Sequence, residues 1–200
     1  KSDGVFGIMA NVLATYVILF VLFGAFLESS GAQRFFIDFP LAAVGHRVGG
    51  PAKVSVIASG LFGSISGSAI ANTVSTGAFT IPMMKKAGFR PHIAGGIEPA
   101  ASISGMFMPP IMGAGGFIMA ELTGVPYSKI MLVAIFPAVM YVFSVFVMVH
   151  YEAKMHQIVG ERSEHNARTI FKEQWLYIAP LVVITILMLT GFSPGYLVII

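Results

Sequence analysis

The residues best suited to chemistry in this chain are oxygen-bearing ones set in an otherwise apolar run. Between Gly63 and Gly77 stand Ser64, Ser66, Ser68, Asn72, Thr73, Ser75 and Thr76, interleaved with glycine. No charged residue occurs from Val54 to Met84, so the stretch reads as embedded in a membrane. A lipid-facing helix does not choose this composition. Every backbone N–H and C=O at that depth needs a partner, and irregular backbone survives only inside protein or against a wet cavity. A polar, glycine-rich break in an apolar run therefore suits a small polar solute or a cation. A second break, Ser102 to Pro110, combines two serines and Gly105 with Pro109 and Pro110, which remove two N–H donors. Carbonyls released at such breaks, together with Ser and Asn oxygens, ligate a hard cation without a fixed charge. On this reading Ser66, Gly67, Ser68 and Asn72, with Ser104, Gly105, Met106 and Pro109, surround one hard cation. Half-helix N-termini at Ala69–Asn72 and near Ile111 would face an anionic solute, touched by Ser68, Asn72, Thr73 and Pro110. The competing reading for any single serine is a hydrogen bond back to its own helix.

Glu98 stands alone in an otherwise uncharged run from His92 to Ala120. An intramembrane carboxylate is functional by default, which makes Glu98 a candidate for proton or cation coupling. Its position eight residues past Arg90 leaves open that it reaches the interface. Glu121 and Lys129 suit the outer interface. The five histidines share no metal-ligand spacing and there is no cysteine, so no metal site beyond a transported cation is expected. The chain shows no Gly-rich phosphate loop, His-Glu metal motif or acid pair, which argues against an enzyme, and no cofactor is called for. An ion channel stays open as a second class, because re-entrant loops also build selectivity filters.

The elements that must position these residues follow from composition and length. Hydrophobic residues make up 56% of the chain and charged ones 10%, with mean hydropathy +0.83. A soluble domain carries about 25% charged residues. This is an all-α membrane protein, and a net charge of +3 with scattered basic residues gives no nucleic-acid surface. Residues 4–27 are long enough to span, at 1.5 Å per residue against a hydrocarbon core of about 30 Å. Residues 28–50 read as an interfacial arm. From Pro51 to about Ile65 a helix reaches past the midplane but hardly crosses. Residues 51–86 are therefore expected to form a re-entrant helical hairpin whose tip is the polar stretch. One long span with a small-residue face (Gly60, Gly63, Gly67, Ala71) is the alternative. A broken helix over 91–122, a span at 130–149, a cytoplasmic connector at 150–174, a span at 175–190 and the start of another at 194–200 complete the reading. The hairpin reading places ten of the twelve basic residues on one face and only Lys1 and Lys129 on the other, which the positive-inside rule assigns to the cytoplasm. The chain starts without Met and stops inside an apolar run, so it reads as a piece of a longer polypeptide, with no cleavable signal peptide evident.

The stretches Arg47–Val54, Gly63–Asn72, Phe79–Pro91, Glu98–Ser102, Met108–Ala114 and Phe117–Glu121 together resemble the large membrane subunit of tripartite ATP-independent periplasmic (TRAP) transporters. The wording is closest to the fused four-plus-twelve-helix permeases of the TAXI type. The resemblance covers roughly residues 4–190. It implies sodium-coupled symport of a small, C4-dicarboxylate-like organic acid across the inner membrane. It also implies a periplasmic solute-binding protein of the TAXI type and a small membrane subunit or fused four-helix segment as partners. The fold implied is an elevator-type transporter of two inverted repeats in the bilayer. This chain would hold one repeat, and a second half of the permease would have to complete the pathway. The family's motif usually has alanine after the residue matched by Glu98, where this chain has Pro99.

Overall fold

A computed structural model of the chain describes residues 7–160 and 167–190. Among these, regular structure is helical apart from one isolated bridge between Val48 and Val159. The elements are α1 (Ile8–Val12), α2 (Ile18–Ser29), α3 (Ala32–Val44), α4 (Gly50–Ser66), α5 (Ala69–Lys86), α6 (Pro91–Ile103), α7 (Ala114–Thr123), α8 (Tyr127–Met155), α9 (Ala167–Gln174) and α10 (Ala179–Leu189). A π-helical turn, Leu13–Val17, joins α1 to α2 without breaking the rod. The expected start of a helix at 194–200 lies outside the described residues.

Hydropathy and burial separate two kinds of helix. Ala10–Leu27 and Tyr127–Met155 are long and apolar enough to cross a membrane, and only 17% and 22% of their apolar windows are buried. Counting Ala167–Tyr177 and Ala179–Leu189, bent by 59°, as one span makes three. By contrast α4 is enclosed along nearly its whole length, from Gly50 through Ile65. A helix hydrophobic or small all round is a core helix, and α4 is the centre on which α3, α5 and α6 pack. Its small residues permit that. A Cβ at Gly63 would sit 2.5 Å from the Gly105 Cα, so these two backbones touch where any side chain would hold them apart.

The α4–α5 pair is a helical hairpin. Gly67, at φ +60°, ends α4 in the left-handed region that favours glycine. Ser68 then caps α5, its hydroxyl accepting the Ala71 N–H at 3.3 Å. Lys85 and Lys86 occupy the last turn of α5, where the helix dipole favours cations. At the base, Lys53 is buried, with Nζ 2.9 Å from His150 Nδ1 and 5.2 Å from the Phe146 ring centre, which ties α4 to α8. The arm α3 packs onto α4, burying Phe35 and Phe36.

The second break also follows from its residues. The helix α6 tightens into a 3₁₀ turn at Ser104–Met106, then runs irregularly to Gly113 before α7 begins. Sequence reading starts the second half-helix at Ile111; the structure starts it at Ala114. Pro109 and Pro110 offer no N–H, and the Ile111 N–H is spent on the Ser64 carbonyl across the interface, at 3.2 Å. Other bonds hold the irregular backbone: the Gly113 N–H donates to the Met106 carbonyl at 2.7 Å, and the Tyr127 hydroxyl donates to the Pro110 and Ile111 carbonyls at 3.1 and 3.0 Å.

Candidate functional site

The two breaks meet. A cavity of about 370 Å³ lies between the hairpin tip and the break after α6. Ser66, Gly67 and Ser68 line it from the tip, Met106 and Met112 from the opposite break, and Val17, Phe20 and Val21 from the first rod. Both interrupted elements restart there: Ser68 and Ala69 open α5, and Gly113 and Ala114 open α7. The contact is tight, since a Cβ at Gly113 would lie 2.8 Å from the Gly67 carbonyl oxygen. Helix N-termini present N–H groups and the positive end of the dipole, so the cavity favours an anion at its α5 and α7 ends. Within the tip the Ser66 hydroxyl lies 3.5 Å from the Ser68 carbonyl, and the Ser68 hydroxyl accepts the Ala71 N–H.

An aromatic stack fixes α7 at this cavity. Phe117 lies face to face between Tyr16 (ring centres 5.5 Å apart, 4° between planes) and Tyr127 (4.4 Å, 7°), with Phe20 at 5.3 Å. Such stacks are worth roughly 0.5–1.5 kcal/mol each beyond burial. They join the first rod, α7 and α8 around one wall of the site.

Of the residues singled out in the sequence, Ser66, Gly67, Ser68 and Met106 are brought to this cavity. Asn72 is buried beneath it, its amide donating to the Ser59 carbonyl at 2.8 Å and the Ser102 carbonyl at 3.4 Å. It clamps the two hairpin arms to α6. Ser104 and Gly105 are buried against α4, with the Ser104 hydroxyl bonded back to the Ala101 carbonyl at 2.6 Å. Thr73 bonds back to the Ala69 carbonyl at 2.8 Å and lines a separate apolar groove with Pro99 and Ile103. Pro109 and Pro110 lie in the turn between the 3₁₀ turn and α7, outside the cavity wall.

Glu98 is fully buried between α4, α5 and α6. Five hydroxyls surround its carboxylate. Ser59 at 2.7 Å, Ser102 at 3.2 Å and Thr76 bond to Oε1, while Thr80 at 2.5 Å and Ser55 bond to Oε2. Sequence reading found Glu98 but missed its partners. Their signal was present as three i,i+4 pairs: Ser55/Ser59, Thr76/Thr80 and Glu98/Ser102. Such pairs share one helix face. Ser59 and Thr76 each stand eight residues from the Gly67–Ser68 tip, and Ser55 and Thr80 each stand twelve. Folding the hairpin there sets both hydroxyl pairs opposite one another.

Comparison with known proteins gives the family. The sequence model of the tripartite ATP-independent periplasmic transporter, DctM component, matches residues 3–198. The C4-dicarboxylate TRAP transporter large permease protein of Pseudomonas aeruginosa is 30% identical over 139 residues, covering 70% of this chain and 32% of that protein. The sialic acid TRAP transporter permease protein of Haemophilus influenzae is 27% identical over 181 residues, 89% of this chain and 29% of the relative. The 2,3-diketo-L-gulonate TRAP transporter large permease protein of Escherichia coli is 32% identical over 121 residues, 60% and 28% respectively. The chain thus spans about a third of the length of these curated relatives, which are transporter permeases rather than enzymes. With two interrupted helical elements meeting at one cavity and a family match over nearly its whole length, the chain belongs to the DctM component family of tripartite ATP-independent periplasmic transporters.

Proposed function

We propose that this chain forms one repeat of a sodium-coupled, elevator-type permease that takes up a small organic acid across the inner membrane. The observation that carries the reading is the cavity where the α4–α5 tip and the start of α7 converge. Oxygen atoms of Ser66, Gly67, Ser68 and Met106 hold sodium there, and the first turns of α5 and α7 hold the carboxylate of the solute. Asn72, Ser104, Gly105 and Pro109 hold the tip and the second break in register. The hairpin is re-entrant, entered from the cytoplasm, and Glu98 acts as a coupling carboxylate behind the cavity. The substrates in the relatives' names, a C4-dicarboxylate, sialic acid and 2,3-diketo-L-gulonate, support an acidic solute. A periplasmic binding protein, of the TAXI type by the wording of the motifs, delivers it. The rest of the permease and a small membrane subunit, separate or fused, complete the machine.

The test is uptake into proteoliposomes holding the full-length transporter with its binding protein. Uptake is expected only with an inward sodium gradient, and Ser68→Ala is expected to raise the sodium concentration required. Uptake unchanged without the gradient would sink the coupling claim, and conductance without solute would mark a channel instead.

A further inference from the structure

We infer that Glu98 is a positioning residue: its carboxyl group, acting through Ser59, Thr76 and Asn72, fixes where the α4–α5 tip stands against the break after α6. This rests on reading the cavity as the transport site and adds the residue that sets its shape from behind. The bridge needs no particular charge on the carboxyl group. Each of its two oxygens takes a hydroxyl from both arms of the hairpin. Oε1 meets Ser59 of α4 at 2.7 Å and Thr76 of α5, while Oε2 meets Ser55 of α4 and Thr80 of α5, the latter at 2.5 Å. Glu98 itself belongs to α6, so one side chain ties both arms to a third helix. A Cβ at Gly77 would approach Glu98 Cγ to 3.2 Å, so α5 also lies close against the stem of the side chain.

The tie reaches the tip through residues that bond on both sides. The Thr76 hydroxyl lies 2.7 Å from the Asn72 carbonyl, and the Ser59 carbonyl accepts the Asn72 amide at 2.8 Å. That amide also meets the carbonyl of Ser102, one turn on from Glu98, at 3.4 Å. The Asn72 N–H in turn donates to the Ser68 carbonyl at 3.0 Å, and Ser68 lines the cavity. Glu98 and Asn72 therefore join α5 to α6 at successive turns, the second of them one turn below the tip. Hydrogen bonds are directional, so they set the height of one helix against the next as well as the distance between them. The Gly63–Gly105 contact above them is backbone against backbone and sets the distance alone. Removing the bridge at Glu98 frees α5 to shift along α6, and Ser66, Gly67 and Ser68 shift with it.

Hydrogen exchange of the full-length permease in nanodiscs, read by mass spectrometry, tests this apart from transport. Glu98→Leu removes the bridge at similar size, and Thr76→Val removes one link while keeping the shape. Each is expected to speed amide exchange over residues 69–76 roughly tenfold and to leave α8 unchanged. Glu98→Gln is expected to keep tip exchange within about twofold of wild type, since a hydroxyl pairs with an amide oxygen or an amide N–H alike. In proteoliposomes with the binding protein, Thr76→Val is expected to raise the half-saturating sodium concentration several-fold at an unchanged maximal rate. Glu98→Gln exchanging as fast as Glu98→Leu, or exchange raised equally in α8, would overturn the inference. Should Glu98→Leu fail to fold, tip exchange in Thr76→Val equal to that of wild type would overturn it as well. Fast tip exchange in Thr76→Val, in a transporter indifferent to sodium, would leave the positioning role standing while the coupling reading fell.

Discussion

Replacing Gly63 by alanine tests the hairpin packing at its closest point. The new Cβ would lie 2.5 Å from the Gly105 Cα, 3.1 Å from the Gly105 N and 2.9 Å from Asn72 Nδ2. Carbon–carbon contacts settle near 3.5–4.0 Å, so α4 and the 3₁₀ turn must part by about 1 Å. Two of the three obstacles are backbone and cannot rotate away. Overpacking of this kind costs about 1–3 kcal/mol. Pushing the Asn72 amide off the Ser59 carbonyl removes a buried hydrogen bond worth about 1 kcal/mol more. The expected loss is therefore about 2–4 kcal/mol, or roughly 5–15 °C in melting temperature for a domain of this size. Gly96→Ala is the matched control, since a Cβ there meets nothing within 4 Å. It is expected to be neutral or to stabilise by up to about 1 kcal/mol through helix propensity. Thermal unfolding of the detergent-solubilised full-length permease, followed by circular dichroism, reads both. Equal melting temperatures for the two variants would refute the close α4–Gly105 approach.

Asn72→Ala should cost about 1–3 kcal/mol of stability, because the Ser59 and Ser102 carbonyls lose their buried donor; a melting temperature within 1 °C of wild type (about 0.3 kcal/mol) would remove the clamp from the account. Tyr127→Phe keeps the stack on Phe117 but frees the Pro110 and Ile111 carbonyls. It should lower the melting temperature by about 2–8 °C, from a cost of about 1–2 kcal/mol, and speed proteolysis of the 107–113 segment. Glu152→Gln breaks the ion pair with Arg90 (3.2 Å) and alters the contact with His156 (3.3 Å) at a partly exposed site. Its effect should stay below about 1 kcal/mol and vanish at high salt.

How much was legible in the sequence can be argued from particular residues. The helical class and the two long spans follow from composition, because hydrocarbon admits only helices or closed barrels and 18 or more apolar residues reach across it. Both breaks were legible for the same reason. Glycine at Gly67 and the Pro109–Pro110 pair punctuate the backbone wherever they fall. The start of α7 was placed early because the partner of the Ile111 N–H is a carbonyl 47 residues back, in α4.

The sequence by itself therefore determined where this chain is helical, where each helix is interrupted and that Glu98 is an isolated carboxylate in an apolar run. Those properties are written in local chemistry: side-chain polarity, missing N–H groups and the freedom of glycine. Only the tertiary structure decided which polar groups line the cavity and which are buried as struts. Ser66 and Ser68 face the cavity, Asn72 is turned into the α4–α5–α6 interface, and five hydroxyls from three helices converge on Glu98. A serine's sequence neighbours do not say which face of its helix will be covered. That depends on which helix packs there, and the packing is set by shape, as where Gly63 meets Gly105.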